Sequence, residues 1–132
     1  HLSENLREIS VGDWTGQRIG TLIEHSRENY LSWRAGKFTP PQGESWAEFV
    51  ARSHGIIDEY RHHGSIQNLL VVCHGGVIRA LLDHYLGLSP KCIIPVAPAS
   101  LTSVRLPKND DDPARLELFN YRPTDLEFGA PD

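Results

Sequence analysis

The chain has 132 residues, the size of one domain, and its 39% hydrophobic and 23% charged content is that of a packed globular protein rather than a disordered one. Its 17 acidic against 13 basic side chains leave a formal net charge of -4, which argues against a nucleic acid or anionic membrane held by bulk electrostatics; any anion must be gripped locally. Two cysteines, Cys73 and Cys92, make neither a disulfide framework nor paired metal-ligand spacing, and no apolar run reaches the roughly 18 residues of a membrane span, so a reduced, cytoplasmic protein is expected.

No secretory or transit signal opens the chain. Met is absent, so the chain is expected to begin inside a longer translation product. LREISVGDW, residues 6–14, is short and mixed and ends in Gly12-Asp13, which reads as a looping segment leading to a turn. Ile19, Leu22, Ile23, Tyr30 and Leu31 then recur at helical spacing, predicting an amphipathic helix from about Thr15 to Trp33 closed by Gly36. KFTPPQGE is a loop. Ser45 and Glu48 have capping-box spacing, and Phe49, Val50, Ile56, Ile57 and Tyr60 continue one apolar face until Gly64.

Leu69 to Cys73 is too short and too uniformly apolar for a surface helix. It is followed by a periodic run of Val77, Ile78, Leu81, Leu82 and Leu86 that Gly87 terminates. That order predicts a parallel strand buried on both faces, a turn and a helix, the first half of a βαβ unit. Leu101–Leu106 and Leu116–Tyr121 predict two further strands, joined by the polar connection PKNDDDPA as a hairpin. The expected fold is α/β.

His74 falls where the predicted strand ends and the helix begins, the edge at which open α/β sheets bind ligands. Unpaired N–H groups and the positive end of the helix dipole favour an anion there, and Gly75-Gly76 removes the Cβ atoms that would hold a phosphate oxygen away. Position alone leaves a second reading open, a strand-end histidine satisfied by backbone.

VVCHGGVIRALL resembles the second-histidine motif of the histidine phosphatase superfamily, the phosphoglycerate-mutase-like family. LREISVGDWTG resembles that family's acid motif, PQGES stands between them as expected, and the likeness runs through the final hairpin. The resemblance implies a three-layer α/β/α fold with a mostly parallel sheet and a C-terminal hairpin. It also implies a two-step phosphoryl transfer in which a histidine of an Arg-His-Gly motif is phosphorylated and water then releases phosphate. Glu8 matches the proton donor, the role a carboxyl fills by protonating the departing alkoxide and later deprotonating water. His74 matches the second histidine that binds the phosphoryl oxygens, Gly75 would add a backbone N–H, and Glu44 of PQGES would approach substrate. Read without the resemblance, Glu8 is a solvated carboxylate beside Arg7.

The family's nucleophile is not in this sequence. Arg52-Ser53-His54-Gly55 lies mid-helix and after the acid motif, the wrong element and the wrong order. The nucleophile, the second phosphate-binding arginine and the first strands of the sheet are therefore expected to precede His1. On this reading residues 1–132 are one domain, the C-terminal portion of a histidine phosphatase domain, inactive alone.

Other candidates are weaker. Adjacent His62 and His63 do not share a helix face and suit the helix end better than a metal. Cys73 is expected to be a buried small hydrophobe, since neighbouring strand side chains point to opposite faces. Asp110-Asp111-Asp112 lacks the alternating ligands of a calcium loop. Trp14, Trp33 and Trp46 fit either core packing or a pocket wall. The resemblance favours the phosphatase branch over the mutases, which carry a different acid stretch. It implies hydrolysis of a small phosphorylated metabolite with no metal or cofactor and with neither nucleic acid nor membrane as partner. The alternatives are a non-catalytic phosphate-binding module of the same fold and a phosphoglycerate mutase-type phosphotransferase.

Overall fold

Ser45 caps the start of a 16-residue helix. Its hydroxyl accepts the Glu48 N–H at 3.2 Å while the Glu48 carboxylate accepts the Ser45 N–H at 3.0 Å, so the box predicted from sequence closes reciprocally. In the computed structural model, which describes residues 1–63, 66–107 and 112–123, this helix is the second of three: α1 (Ile19–Arg34), α2 (Trp46–Arg61) and α3 (Gly75–Leu86). The strands β1 (Leu101–Arg105) and β2 (Arg115–Tyr121) pair antiparallel, with Leu101 opposite Tyr121 and Val104 opposite Leu116, as the hairpin reading expects. Gly64 and residues 108–111, which include Asp110 and Asp111, lie outside the described residues. No described helix is long and apolar enough to cross a membrane.

The first helix begins later than expected, at Ile19 rather than Thr15. Gly12–Trp14 forms a 3-10 turn that Thr15 closes, and Gly16 follows at φ 78°, so the backbone turns before it can wind. At the other end Gly36 stops α1 at φ 74°. A Cβ there would come within 2.9 Å of the Trp46 ring, so both conformation and packing require glycine.

Phe49 of α2 and Val77 and Ala80 of α3 are fully buried and form the core. Leu6, Ile9, Trp46, Val50, Cys73 and Leu81 pack around them, which is how the acid segment comes to lie against both helices. Polar contacts reinforce this packing: Trp46 Nε1 donates to Asp83 at 2.7 Å and the Tyr85 hydroxyl donates to Asp58 at 2.7 Å. Buried groups of this kind need such partners.

The segment Leu69–Cys73 departs from expectation. It forms no strand, and Leu70 and Val72 are 80% and 90% exposed, whereas a strand buried on both faces was expected. Val71 and Cys73 are half-buried, so a period of two survives with one side against the helices and the other open. A strand exists only through pairing. Among the described residues β1 and β2 pair with each other and with nothing else, and the sheet is a two-stranded antiparallel one.

Candidate active site

Arg52, in the middle of α2, organises the acid segment. Its Nη1 donates to the carbonyls of Asn5 and Arg7 at 2.7 and 2.9 Å, and its Nη2 donates to that of Glu8 at 3.2 Å. Nε and Nη2 also grip Glu44 as a fork, at 2.6 and 2.8 Å. Glu44 completes the frame by exchanging bonds with Ser10, accepting its N–H at 3.4 Å and donating its own N–H to the Ser10 carbonyl at 2.9 Å. The hydrogen bonds from Arg52, followed by that from Ser10, outweigh burial and hold the Glu44 carboxyl below the usual carboxylate range. Glu44 was expected to approach substrate. Instead it is committed to Arg52 and does not line the cavity described below, because both its oxygens satisfy a largely buried guanidinium.

Held by this frame, Glu8 turns toward the start of α3. Oε1 accepts the N–H of Ile9 at 2.9 Å and Oε2 accepts the N–H of Gly76 at 3.0 Å. That N–H is one of the donors a helix leaves unpaired in its first turn. A Cβ on Gly76 would overlap Glu8 Oε1, so this glycine is fixed by the close approach of a carboxylate. His74 occupies the cap position with an extended backbone, φ -113° and ψ 163°, and its exposed side chain makes no capping bond. The site residues expected from sequence thus divide. Glu8 and Gly75 meet around one cavity, His74 stands beside it at the head of the same helix, and Glu44 is a brace behind it.

The cavity, of about 460 Å³, is lined by Glu8, Gly75 and Gly76 together with Trp33, Arg34, Trp46 and Arg79. Trp33 and Trp46 therefore serve as pocket walls, while Trp14 packs between Trp33 and Phe38. Arg79 is only 8% exposed; its Nη2 donates to the carbonyls of Arg34 and Pro90 at 3.2 and 2.7 Å, and its Nε has no partner. Burial, and then the neighbouring positive charge of Arg34, lower its pKa, although a guanidinium stays charged at any ordinary pH. Neither arginine was singled out in the sequence, where Arg79 showed only as a charge interrupting the apolar run VIRALL.

A second cluster joins α2 to α3. His54 Nδ1 lies 2.9 Å from Asp58, and the His54 and His84 rings stack at 3.6 Å with planes 4° apart. The candidate ligand atoms of His54, Asp58 and His84 fall within 4.8 Å of one another. Stacked parallel rings cannot aim their in-plane lone pairs at one ion, so this arrangement suits an interhelix contact better than a metal centre. His62 Nδ1 donates to the Asp58 carbonyl at 2.7 Å at the end of α2, a helix-end role of the kind expected. Cys73 packs on the core, and burial, with Glu8 nearby, raises its pKa.

Comparison with known proteins gives this geometry a lineage. The chain is 30% identical over 88 residues to the adenosylcobalamin/alpha-ribazole phosphatase of Salmonella typhimurium, covering 65% of this chain and 44% of that protein. To the enzyme of the same name in Escherichia coli it is 32% identical over 88 residues, covering 63% and 42%. The chain thus spans under half the length of these curated relatives. Among solved structures it resembles a mycobacterial glucosyl-3-phosphoglycerate phosphatase in complex with inorganic phosphate, with a TM-score of 0.78 and 26% identity over 90% of this chain and 63% of that one. The family model of the histidine phosphatase superfamily (branch 1) matches residues 1–121, and this chain belongs to that superfamily.

Proposed function

We propose that the chain supplies the acid and part of the phosphate cradle of a phosphomonoester hydrolase that works through a phosphohistidine intermediate. The observation that carries this reading is the Glu8 carboxyl seated on the Gly76 N–H at the head of α3, in a cavity whose other charged walls are Arg34 and Arg79. A helix N-terminus that holds a carboxylate oxygen can hold a phosphoryl oxygen by the same N–H groups, so ligand binding would exchange one anion for the other. Gly75 and His74 are the remaining donors at that end.

In the first step a histidine nitrogen forms a bond to phosphorus, the ester P–O bond breaks, and the Glu8 carboxyl gives its proton to the departing alkoxide. In the second step water attacks phosphorus, the N–P bond breaks, and the Glu8 carboxylate takes the water proton. His74 and the glycine N–H groups stabilise charge spread over the equatorial oxygens throughout. Neither step calls for a metal or a cofactor. Arg-His-Gly does not occur in the 132 residues, so the nucleophilic imidazole must come from a segment outside them. The chain is then the C-terminal portion of the family's domain, and residues 69–73 become a strand of its mostly parallel, three-layer sheet when a neighbour pairs with them. Its substrate is a small phosphorylated metabolite of the cytoplasm.

Hydrolysis is favoured over mutase chemistry because the relatives compared above are named phosphatases. The test is p-nitrophenyl phosphate turnover by the intact protein with trapping of an acid-labile phosphoenzyme, insensitive to chelators; the 132 residues alone should bind phosphate without turnover. Binding without turnover by the intact protein would instead identify a non-catalytic phosphate-binding module.

A further inference from the structure

We infer that Asn120 is a positioning residue for the phosphate cradle: its side chain pins the loop that carries Pro95 and Val96, and so sets how closely that loop closes on the head of α3. This rests on the phosphomonoester reading and adds to it a residue of the C-terminal hairpin.

The backbone of Asn120 is the first sign. It lies in β2 at φ 54°, the left-handed region that residues other than glycine seldom adopt. Leu101 pairs with Tyr121 and Ser103 with Leu118, so Phe119 and Asn120 together face Thr102 alone, a bulge of two residues against one. The Asn120 N–H goes to the Thr102 hydroxyl at 3.2 Å instead of to a ladder carbonyl. Bulges re-aim side chains, and this one sends a side chain out of the sheet: Asn120 Oδ1 accepts the Ala97 N–H at 2.7 Å.

The loop depends on that bond. Pro95 and Pro98 have no N–H to donate, and among the described residues 94–98 make no main-chain to main-chain hydrogen bond. Two side chains take their place at Ala97: Asn120 on its N–H, and Ser100 Oγ, which donates to its carbonyl at 2.8 Å. A peptide unit is planar, so fixing the Ala97 N–H also fixes the Val96 carbonyl. Val96 lies against the proposed cradle, since a Cβ on Gly75 would be 3.5 Å from Val96 Cβ and 3.7 Å from its carbonyl oxygen. Pro95 and Val96 line the cavity with Glu8, Gly75 and Gly76. Were only the left-handed backbone at issue, glycine would serve with less strain, but glycine offers Ala97 no acceptor.

Steady-state hydrolysis of p-nitrophenyl phosphate by the intact protein, with inorganic phosphate titrated by calorimetry, tests this in Asn120→Gly, Asn120→Asp and Ser100→Ala. Glycine keeps the backbone conformation and removes the acceptor, so KM and the phosphate Kd should each rise about 10-fold while kcat stays within about 2-fold, the pattern of binding lost equally from ground and transition states. Aspartate keeps an oxygen for Ala97 and tolerates the left-handed backbone, and should recover most of the affinity. Ser100→Ala loosens Ala97 from outside the bulge, so its folding does not depend on that turn, and should raise KM and Kd about 3-fold. A merely structural asparagine would lower the melting temperature on substitution and leave KM in place. Unchanged KM and Kd in Asn120→Gly and Ser100→Ala, or an aspartate variant as weak as the glycine one, would overturn the inference and leave the phosphomonoester reading standing. Phosphate binding without turnover by the parent would overturn that reading's chemistry, with Kd alone then deciding the role of Asn120; neither binding nor turnover would overturn both.

Discussion

Glu8 and Gly76 are joined by a 3.0 Å hydrogen bond between positions 68 residues apart. The bond brings an acid from a loop and the positive end of a buried-faced helix to one point, with Arg52 fixing the loop from behind. Proton donation and oxyanion binding need that proximity, because each acts on atoms bonded to the same phosphorus.

Gly76→Ala places a methyl group where the Glu8 carboxylate lies. Alanine is the better helix former by about 1 kcal/mol, so far-UV circular dichroism should show α3 retained. Phosphate-ester turnover by the intact protein should nevertheless fall by roughly 100-fold, the scale of loss that follows from misplacing a catalytic group by about an ångström. Unchanged turnover would show that the Glu8 contact does not matter to the chemistry.

Arg52→Ala removes three carbonyl contacts and strands Glu44, whose side chain is 15% exposed. Urea denaturation should show a loss of about 3 kcal/mol. Arg52→Lys should recover only part of this, because an ammonium cannot reproduce the fork. A lysine variant as stable as the parent would mean that charge alone holds the acid segment.

Stability should fall on acidification in two stages. Burial, and then His54, lower the His84 pKa, so the unfolded chain binds the extra proton first and stability declines as pH drops below histidine's ordinary value of about 6.5. Asp58 and Asp83 face the same ring and oppose that shift. The Glu44 carboxyl is lowered chiefly by Arg52, and Asp58, although burial raises it, is lowered on balance by Tyr85 and His54. Their contribution is complete above the ordinary carboxylate range near 4 and is lost as pH falls through their lower folded values. Thermal melts from pH 8 to 3 should show both stages. His84→Gln should remove the first and Glu44→Gln should weaken the second.

Local signals carried most of the fold. The Ser45 capping box and the apolar stripe ending at Gly87 depend on neighbours within a few residues, the hairpin strands are adjacent in the chain, and each formed where expected. Leu69–Cys73 did not, because a strand needs a partner that its own residues cannot specify. The site divides in the same way. Glu8 and the glycines could be picked out by motif, whereas the Glu44–Arg52 fork, and the turning of Arg79 onto the cavity, depend on how α2 and α3 pack. Arg52 had been visible only as part of a misleading Arg-Ser-His-Gly string.

The central claim is that an anion binds at the head of α3 beside Glu8. Titrating inorganic phosphate into ¹⁵N-labelled protein and following amide resonances addresses it without requiring turnover. The Gly75 and Gly76 amides, with those of His74 and Ile9, should shift together along one saturable curve. Shifts confined to other regions, or none at these four positions as phosphate saturates, would contradict the claim.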